Sequence, residues 1–176
     1  MRRAVRIALL AIAVVTSGCG YALVGRGNAL PAHIKRIGVP MFTNLSETPE
    51  LDRILTEAVR QELLSRGRYT VVPDATGVDA VLTASVRPVQ FGVAALNDAR
   101  QAQRYLITIS ATVEFKDLTN SKVLWSNGNM RASDDYELPS GTTEQPAAVF
   151  SQDQNALARL AKSFARTLVA SMLEAF

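Results

Sequence analysis

The sequence predicts an α+β protein: a two-layer sandwich in which two α-helices pack on one face of a four- to five-stranded, mainly antiparallel sheet. Two segments repeat apolar residues every three or four positions, as amphipathic helices do. Between them, residues 105–116 alternate apolar and polar side chains, which is typical of a strand with one buried and one exposed face. The economical way to bury both kinds of apolar surface is to place the helices on the sheet, in the order β-α-β-β-β-α.

The strands are predicted from short apolar or alternating segments that end at proline, glycine or polar turns. In the first of them we expect Ile34, Ile37 and Val39 to be buried. A turn over residues 117–121 should return the chain as an antiparallel partner. The expected strands span residues 33–42, 69–72, 79–87 with a continuation over 89–95 after Pro88, 105–116 and 122–131.

The two predicted helices differ in how their ends are marked. The first spans residues 46–66, with Thr48 as the expected N-cap and Gly67 as the expected C-cap. The second is expected to be one continuous helix over about residues 147–174, after a polar, mobile loop over residues 133–145. Its buried stripe should comprise Leu157, Leu160, Ala161, Phe164, Leu168 and Met172.

The first twenty residues predict a lipoprotein signal. Three arginines precede an apolar run over residues 7–15, which suits a secretory signal peptide but is too short for a membrane-spanning helix of roughly 20 residues. Small residues then lead to Cys19, the only cysteine, and resemble a lipobox; an ordinary signal peptide would instead leave a free thiol in an oxidising compartment. We therefore expect a signal peptide over residues 1–18, a lipidated flexible tether over 19–31 and a single α+β domain over 32–176.

The overall charge argues against nucleic acid as a partner. The formal net charge of +3 comes from 19 Lys and Arg against 16 Asp and Glu. Three of the arginines lie in the predicted signal peptide, so the mature chain would be formally neutral. No cluster of four or more Lys and Arg is present, whereas a basic patch is the usual electrostatic footprint of nucleic-acid binding.

The residue types that catalysis needs are scarce. His33 is the only histidine, and we expect it to be a surface side chain rather than the base of a serine triad. One histidine and one acylated cysteine provide no zinc ligand set. The acids Asp134, Asp135 and Glu137 fit a solvated loop better than a calcium site or an acid–base pair. We expect no metal, no cofactor and no enzymatic activity.

The sequence around the cysteine resembles the opening of the LPS-assembly lipoprotein family, LptE. CGY at residues 19–21 is followed by GRG at residues 25–27 and by Leu30-Pro31. Residues 34–44 then end in a P-x-F-x-N pattern. In that family a lipidated CGY leads through an LP…I element into a strand that ends in a turn of this kind.

A second resemblance to the same family lies in the C-terminal half. FKD at residues 115–117, VLW at 123–125 and DYEL at 135–138 are similar to a strand pair with an L-W element, followed by a Y-E loop before the final helix. The resemblance implies an outer-membrane lipoprotein that faces the periplasm, plugs the LptD β-barrel, assists its assembly and helps to deliver lipopolysaccharide. It also implies no enzymatic activity and no cofactor.

Two groups of residues are candidates for binding in such a role. Lipid A is anionic, so its phosphates would need Lys or Arg beside an apolar surface. The candidates, expected at the ends of the central hairpin, are Arg104, Lys116, Lys122 and Arg131; each could equally be a solubilising charge. Candidates for contact with the barrel are the polar row of the alternating strand and the only tryptophan, which could instead lie in the core: Thr108, Ser110, Thr112, Glu114 and Trp125.

Two other functions remain compatible with the sequence. The first is a periplasmic lipoprotein that docks onto or activates another envelope complex, such as a peptidoglycan synthase or a secretion channel. The second is a secreted hydrolase, which would have to use His33 and scattered acids. Co-purification with a large β-barrel would favour the lipopolysaccharide translocon over the first. Loss of an assayable activity on mutation of His33 would be needed to support the second.

Overall fold

The computed structural model describes residues 30–96, 102–139 and 144–176, and it confirms the α+β class. Within these residues, seven strands form one sheet and three helices accompany it. The strands are β1 (Arg36–Gly38), β2 (Thr43–Asn44), β3 (Thr70–Val72), β4 (Ala80–Val86), β5 (Gln90–Leu96), β6 (Ala102–Asp117) and β7 (Lys122–Glu137). The helices are α1 (Leu51–Ser65), α2 (Pro146–Gln152) and α3 (Gln154–Leu173).

The long strand β6 is the centre of the sheet. β4 and β5 lie end to end along one edge of β6, and β7 lies along the other edge, all antiparallel to it. Pro88 separates β4 from β5, as the sequence predicts, because proline has no N–H group to donate to a neighbouring strand. The sheet continues from β4 through β1 to β3, and β2 pairs with the end of β4.

The strand layout corrects the prediction in two respects. The sheet has seven strands rather than four or five. The predicted first strand over residues 33–42 forms only the short β1, with β2 as a second short strand directly after it, and the predicted continuation over residues 89–95 is a separate strand, β5. In addition, β1 pairs in parallel with both β3 and β4, and β2 pairs in parallel with β4. α1 carries the chain back between β1 and β3, and such a crossover connection joins parallel strands.

Side chains of α1 bind the backbone where β1 ends. Arg60 donates two hydrogen bonds to the carbonyl oxygen of Val39, at 2.7 and 3.0 Å. The hydroxyl of Thr56 accepts a hydrogen bond from the N–H of Phe42 at 3.0 Å. At the last position of β1, a Cβ on Gly38 would lie 2.3 Å from the carbonyl oxygen of Asp74, so this position requires glycine. The helix thus adds side-chain hydrogen bonds to a segment that also pairs with β3, through the N–H of Val39 and the carbonyl oxygen of Val72 at 2.8 Å.

The N-terminus of α1 differs from the prediction, whereas its C-terminus agrees. Thr48 is not the cap: the helix begins at Leu51, and Glu50 precedes it with a left-handed backbone (φ 57°) and no capping side-chain hydrogen bond. Thr48 is instead buried, and its carbonyl oxygen accepts a hydrogen bond from the Asn44 side chain at 2.9 Å. Gly67 follows the helix with φ 66°, which favours glycine as predicted.

The predicted loop over residues 133–145 is wrong at its start, because β7 continues to Glu137. Polar residues are tolerated here since this end of β7 pairs only with β6 in the described part of the chain. The hydroxyls of Ser133 and Thr108 lie 2.9 Å apart across the strands, and Tyr136 is buried. Residues 140–143 of the predicted loop lie outside the described residues.

The last predicted helix is two helices, because the chain breaks at Asp153. This residue is not helical (φ −85°, ψ 89°), and its carboxylate accepts hydrogen bonds from the N–H groups of Asn155 and Ala156, both at 3.0 Å. Burial raises the pKa of the Tyr136 hydroxyl, and a hydrogen bond to Asp153 with the charge of that carboxylate raises it further. The predicted buried stripe of α3 is confirmed at all six positions.

One hydrophobic core lies between the helices and the sheet. The apolar residues of α1 and α3 contact each other, and they belong to the same buried cluster as Ile107, Ile109 and Phe115 of β6. In α2, just before α3 in the chain, Phe150 extends the core and makes edge-to-face contacts with Phe91 and Tyr136. Among the described residues, no helix has both the length and the apolar character needed to cross a membrane.

Candidate functional site: the uncovered face of the sheet

The two faces of β6 differ in what covers them. The odd-numbered residues from 107 to 115 point into the core. The even-numbered residues from 108 to 116 form the outer row, on the face opposite the helices: Thr108, Ser110, Thr112, Glu114 and Lys116. Thr112 and Glu114 are exposed, Thr108 and Lys116 are half-buried, and Ser110 is buried with 6% exposed. A molecule bound to this face would therefore contact the residues around Ser110 rather than Ser110 itself.

An arginine that the sequence analysis did not single out crosses the outer row. Arg87 follows β4, and its guanidinium donates hydrogen bonds to the hydroxyl of Thr112 at 2.9 Å and to the carbonyl oxygen of Gly128 at 2.7 Å. It therefore links β4, β6 and β7 on the uncovered face. The sequence does indicate that Arg87 faces away from the core, because it occupies a polar position in the alternating strand just before Pro88.

Arg131 lies in the middle of the uncovered face. It is opposite Ser110 in the β6–β7 register, and its Nε donates a hydrogen bond to the Asn129 side chain at 3.1 Å. The register between β6 and β7 shifts over residues 127–130, and Asn127 accepts a hydrogen bond there from the N–H of Asn129 at 2.9 Å. The backbones of Arg87 and Arg131 lie on either side of β6, about two strand spacings of roughly 4.8 Å apart. Because the Arg87 side chain crosses β6 to the carbonyl oxygen of Gly128, its guanidinium lies on the β7 side, towards Arg131.

The four cations that the sequence suggested for lipopolysaccharide binding do not form one site. Lys116 and Lys122 are close together beside the β6–β7 turn, whereas Arg104 lies at the other end of β6, opposite Glu137. Twelve residues of β6 separate Lys116 from Arg104, which is about 40 Å of extended chain. Arg131 is not at an end of the hairpin, because β7 continues for six residues beyond it.

Trp125 lies on the other face from the outer row. It is opposite Phe115, half-buried, and packed against the hydrophobic core. The predicted lipid-attachment residue, Cys19, lies outside the described residues.

The end of the sheet beside the β6–β7 turn is held by two carboxylates. Asp79 accepts hydrogen bonds from the N–H groups of Lys35 and Arg36, both at 2.8 Å, and these bonds lower its pKa. Burial of Asp117 raises its pKa, but hydrogen bonds outweigh that effect and lower the pKa to about 2. The donors to Asp117 are Asn120, His33 (Nε2 to Oδ2, 2.8 Å) and the N–H of Thr119.

This arrangement gives the only histidine a structural partner. His33 is hydrogen-bonded to the buried Asp117. Its described hydrogen bonds do not include one to a serine, which a catalytic triad would need. In the described ranges, no group of three or more His, Cys, Asp and Glu residues is placed to hold a metal ion. The uncovered face presents hydroxyl, carboxylate and guanidinium groups, which are suited to contact through hydrogen bonds and charge.

The sequence comparison decides the family. The LptE family, described as lipopolysaccharide-assembly, matches residues 34–172, which includes every described strand and nearly all of α3. The chain belongs to the LptE family. LptE proteins are non-enzymatic lipopolysaccharide-assembly lipoproteins that associate with membranes, which agrees with the expected lack of catalysis.

Solved structures share the fold at low identity. The chain is similar to the hypothetical protein CT253 from Chlamydia trachomatis (TM-score 0.55, 13% identity, 80% of this chain and 96% of that chain covered). It is also similar to an uncharacterized lipoprotein B from Nitrosomonas europaea (0.51, 13%, 88% and 88%) and to rare lipoprotein B from Shewanella oneidensis (0.47, 14%, 78% and 93%). At these identities the first two similarities, with TM-scores above 0.5, show the fold alone. No curated protein sequence matches the chain.

The residues that carry the resemblance to LptE have structural roles here. Phe42 is buried, and Asn44 folds the turn after it by accepting hydrogen bonds from the N–H and the hydroxyl of Ser46, at 2.9 and 2.7 Å. Trp125 and Tyr136 pack against the core from β7. These motif residues hold the uncovered face in position without forming part of it.

Proposed function

We propose that this LptE-family protein is an outer-membrane lipoprotein that faces the periplasm and plugs the lumen of an LptD-type β-barrel. In this role it assists the assembly of the barrel and contacts lipopolysaccharide during its delivery. Family membership and the one-sided sandwich support the proposal, because the domain buries its own core and still presents one long sheet face.

The polarity of the uncovered face is the observation that carries the proposal. The interior of a large membrane β-barrel is polar, so a plug needs hydrogen-bonding groups and charges rather than an apolar patch. Thr108, Thr112 and Glu114 supply such groups along β6, and Arg87 and Arg131 add charge beside them. A polar surface held by a rigid sheet also loses little conformational entropy when it binds.

The N-terminal sequence supplies the proposed anchor. Signal cleavage before Cys19 and acylation of that residue would attach the domain to the membrane, and several acyl chains exceed what stable anchoring needs. In cells that express the full chain, Cys19→Ala should remove the mass increment of the acyl chains and release the protein from the membrane fraction. An unchanged mass would overturn the lipoprotein assignment.

Lipopolysaccharide contact is proposed for two separate groups of cations. Arg131, with Arg87 across β6, forms a pair in the middle of the uncovered face. Lys116 and Lys122 form a second pair at the turn, beside the exposed Val123. Guanidinium and ammonium groups bind phosphate oxygens through charge-assisted hydrogen bonds, and a neighbouring apolar side chain offers contact to acyl chains.

Arg104 is a third, isolated candidate for phosphate contact. It is exposed at the open end of β6, opposite Glu137. Neutralising each group to glutamine and measuring binding to purified lipopolysaccharide would rank the three. Lys162→Gln/Arg166→Gln, on the exposed side of α3, is the matched control for the two pairs, and Lys162→Gln alone is the control for Arg104. Unchanged binding in all three variants would remove direct lipopolysaccharide contact from the proposal and leave the plug.

Site-specific cross-linking tests the plug in its own envelope. A photo-reactive residue at Thr112 or Glu114 should capture a large β-barrel, whereas the same residue at Lys162, on the solvent side of α3, should not. Depletion of the protein should leave that barrel unassembled. Capture of a peptidoglycan synthase or a secretion channel from the uncovered face, with no barrel, would favour the alternative of a lipoprotein that docks onto another envelope complex.

A further inference from the structure

We infer that one end of the domain, from which the chain leads back to Cys19, is a cationic surface that docks onto the anionic phospholipid headgroups of the membrane. The inference rests on the proposed lipid anchor. It adds a contact between the folded domain and the membrane, and therefore an orientation, which the acyl chains alone do not give.

Several elements meet at this end of the domain. β1, β3 and β4 all start here, since Arg36 pairs with Thr70 and Ile37 with Ala80. Ala80 in turn pairs with Asp117, the last residue of β6. The C-termini of α1 and α3 also lie here, on either side of a cleft of about 270 Å³ lined by Arg66, Arg68, Tyr69, Ala170, Leu173 and Glu174.

The chain enters the described domain at the same end. Leu30 is buried, and its N–H donates a long hydrogen bond of 3.4 Å to the hydroxyl of Tyr69, which lines the cleft. Leu30 follows Cys19 by eleven positions, and a chain of that length reaches at most about 35 to 40 Å. The end that carries Leu30, here named the anchor end, therefore lies within that distance of the membrane surface whenever Cys19 is acylated.

Basic residues predominate at the anchor end. Six of them surround the start of β1, the end of α1 and the β6–β7 turn: Lys35, Arg36, Arg66, Arg68, Lys116 and Lys122. The acids in the same region are Glu62, Asp79, Asp117 and Glu174.

Most of those acids already have partners within the domain. Glu62 forms an ion pair with Arg66 at 2.6 Å, and Asp79 accepts the N–H groups of Lys35 and Arg36. Asp117 is buried and bound to His33. The backbone of Lys35 and Arg36 is thus fixed by Asp79, while both side chains are exposed.

The opposite end of the domain carries the opposite charge. Around the open end of the β6–β7 pair and the α2–α3 junction, the described residues include Asp134, Asp135, Glu137, Glu144 and Asp153 against Arg104 and Arg159. An anionic membrane surface attracts the anchor end and repels this far end, about 40 Å away along β6. Charge polarity and the point of chain entry independently select the same orientation.

The orientation is testable with the full, acylated chain because Cys19 leaves no free thiol, so a single added cysteine can be labelled. Thr119→Cys places a fluorescent probe on the β6–β7 turn at the anchor end, and Gln152→Cys places it at the end of α2. On vesicles of phosphatidylethanolamine and phosphatidylglycerol, a headgroup quencher should quench the probe at position 119 and spare the probe at 152. On phosphatidylcholine vesicles the difference between the two positions should disappear.

Neutralising basic residues at the anchor end should weaken the docking. Each basic residue at an anionic surface contributes roughly a factor of five, so Lys35→Gln/Arg36→Gln should lower the ratio of docked to undocked domain by about 30-fold. The matched control, Lys162→Gln/Arg166→Gln, carries the same charge change on the side of α3 and should leave the ratio unchanged. High salt screens the same charges, so it should also lower the ratio of docked to undocked domain in the unsubstituted protein. This gives the same test without a substitution that could alter the fold.

Three outcomes would overturn the inference: equal quenching at the two positions, quenching that does not depend on anionic lipid, or docking that survives both neutralisation and high salt. If the protein floats with the vesicles and carries its acyl mass but shows any of these outcomes, only this inference fails. If Cys19 carries no acyl chain, the proposed lipoprotein anchor fails first, and the orientation fails with it.

Discussion

Neighbouring residues of β6 serve opposite purposes on the two faces of the sheet. Ile109 is fully buried beneath the helices, whereas Thr112, three positions later, is exposed on the uncovered face beside Arg87. The covered face supplies the stability of the domain, and we propose that the uncovered face supplies groups for a partner. Substitutions on this strand should therefore separate cleanly into those that affect folding and those that affect binding.

The largest effect should come from a charge on the covered face. Ile109→Asp would bury an unpaired carboxylate, which costs several kcal/mol and should leave no cooperative thermal unfolding transition. Thr112→Asp is the control, because it places the same charge on the exposed side of the strand next to a guanidinium. A native melting curve for Ile109→Asp would refute the assignment of the two faces.

A cavity on the covered face should have the next largest effect. Phe150 is 1% exposed and makes edge-to-face contacts with Phe91 and Tyr136, with ring centroids 5.8 and 5.6 Å away. Phe150→Ala should lower the free energy of unfolding by about 3 to 5 kcal/mol, measured by urea denaturation. Val93→Ala, at an exposed position of β5, should change it by no more than about 0.5 kcal/mol. Similar losses for both would mean that α2 does not close the core.

The cap that joins α2 to α3 should have a moderate effect. Asp153→Ala removes the acceptor for two N–H groups at the start of α3 and the partner of the Tyr136 hydroxyl, and should cost about 1 to 2 kcal/mol. Gln152→Ala, one position earlier, is the control and should be nearly neutral. In the Asp153→Ala variant the pKa of Tyr136 should also fall, which a spectroscopic titration of tyrosine would detect.

The contribution of Asp117 should depend on pH. Its pKa is lowered from 3.8 to about 2 in the folded protein, so the stability it adds is fully present above about pH 4 to 5 and is lost as the pH falls towards 2. Urea denaturation should show that Asp117→Asn is less stable than the unsubstituted protein at pH 7. The difference should shrink through that acidic range; a difference that stayed constant down to pH 2 would contradict the lowered pKa.

The smallest effect on stability should come from the uncovered face. Thr112→Val removes one hydrogen-bond partner of Arg87 at an exposed position and should change the free energy of unfolding by about 0.5 kcal/mol or less. The same variant should reduce capture of the barrel by a cross-linker at Glu114. If stability fell by several kcal/mol instead, the uncovered face would be part of the folding core.

The sequence predicts best where one period of apolar residues extends over many positions. The stripe of α3 and the alternation of β6 were predicted residue by residue, because burial on one side imposes that spacing directly. β4 and its continuation β5 were also predicted, since Pro88 marks the break between them.

The errors lie where the deciding contact is distant in sequence. The sequence predicts a loop at the end of β7 because the residues there are polar. Pairing with β6 nevertheless stabilises them as a strand, as in the Thr108–Ser133 contact. The break at Asp153 does not interrupt the apolar period, so the pattern gave no sign of it. The parallel pairing of β1 depends on the path of α1, which no local pattern of three residues can specify.

The candidate site was predicted only in outline. The polar character of the outer row is visible in the alternation of β6, but the arginine that crosses it comes from β4 and reaches a carbonyl of β7. The position of Arg131 in the middle of the face could not be predicted, because the sequence predicts that the strand ends at this residue whereas β7 continues to Glu137. The types of the residues in the candidate site can be read from the sequence, whereas their relative placement depends on the strand register.

The position of β1 has a mechanical consequence. Its three residues lie between β3 and β4 and pair in parallel with both, just after the buried Leu30 and Ile34. Tension applied from the N-terminal side would act along the strand and load the hydrogen bonds on both of its edges together, rather than one after another. A force on the tether would thus be shared by several hydrogen bonds of the sheet at once. The domain should therefore resist mechanical unfolding from its N-terminal side.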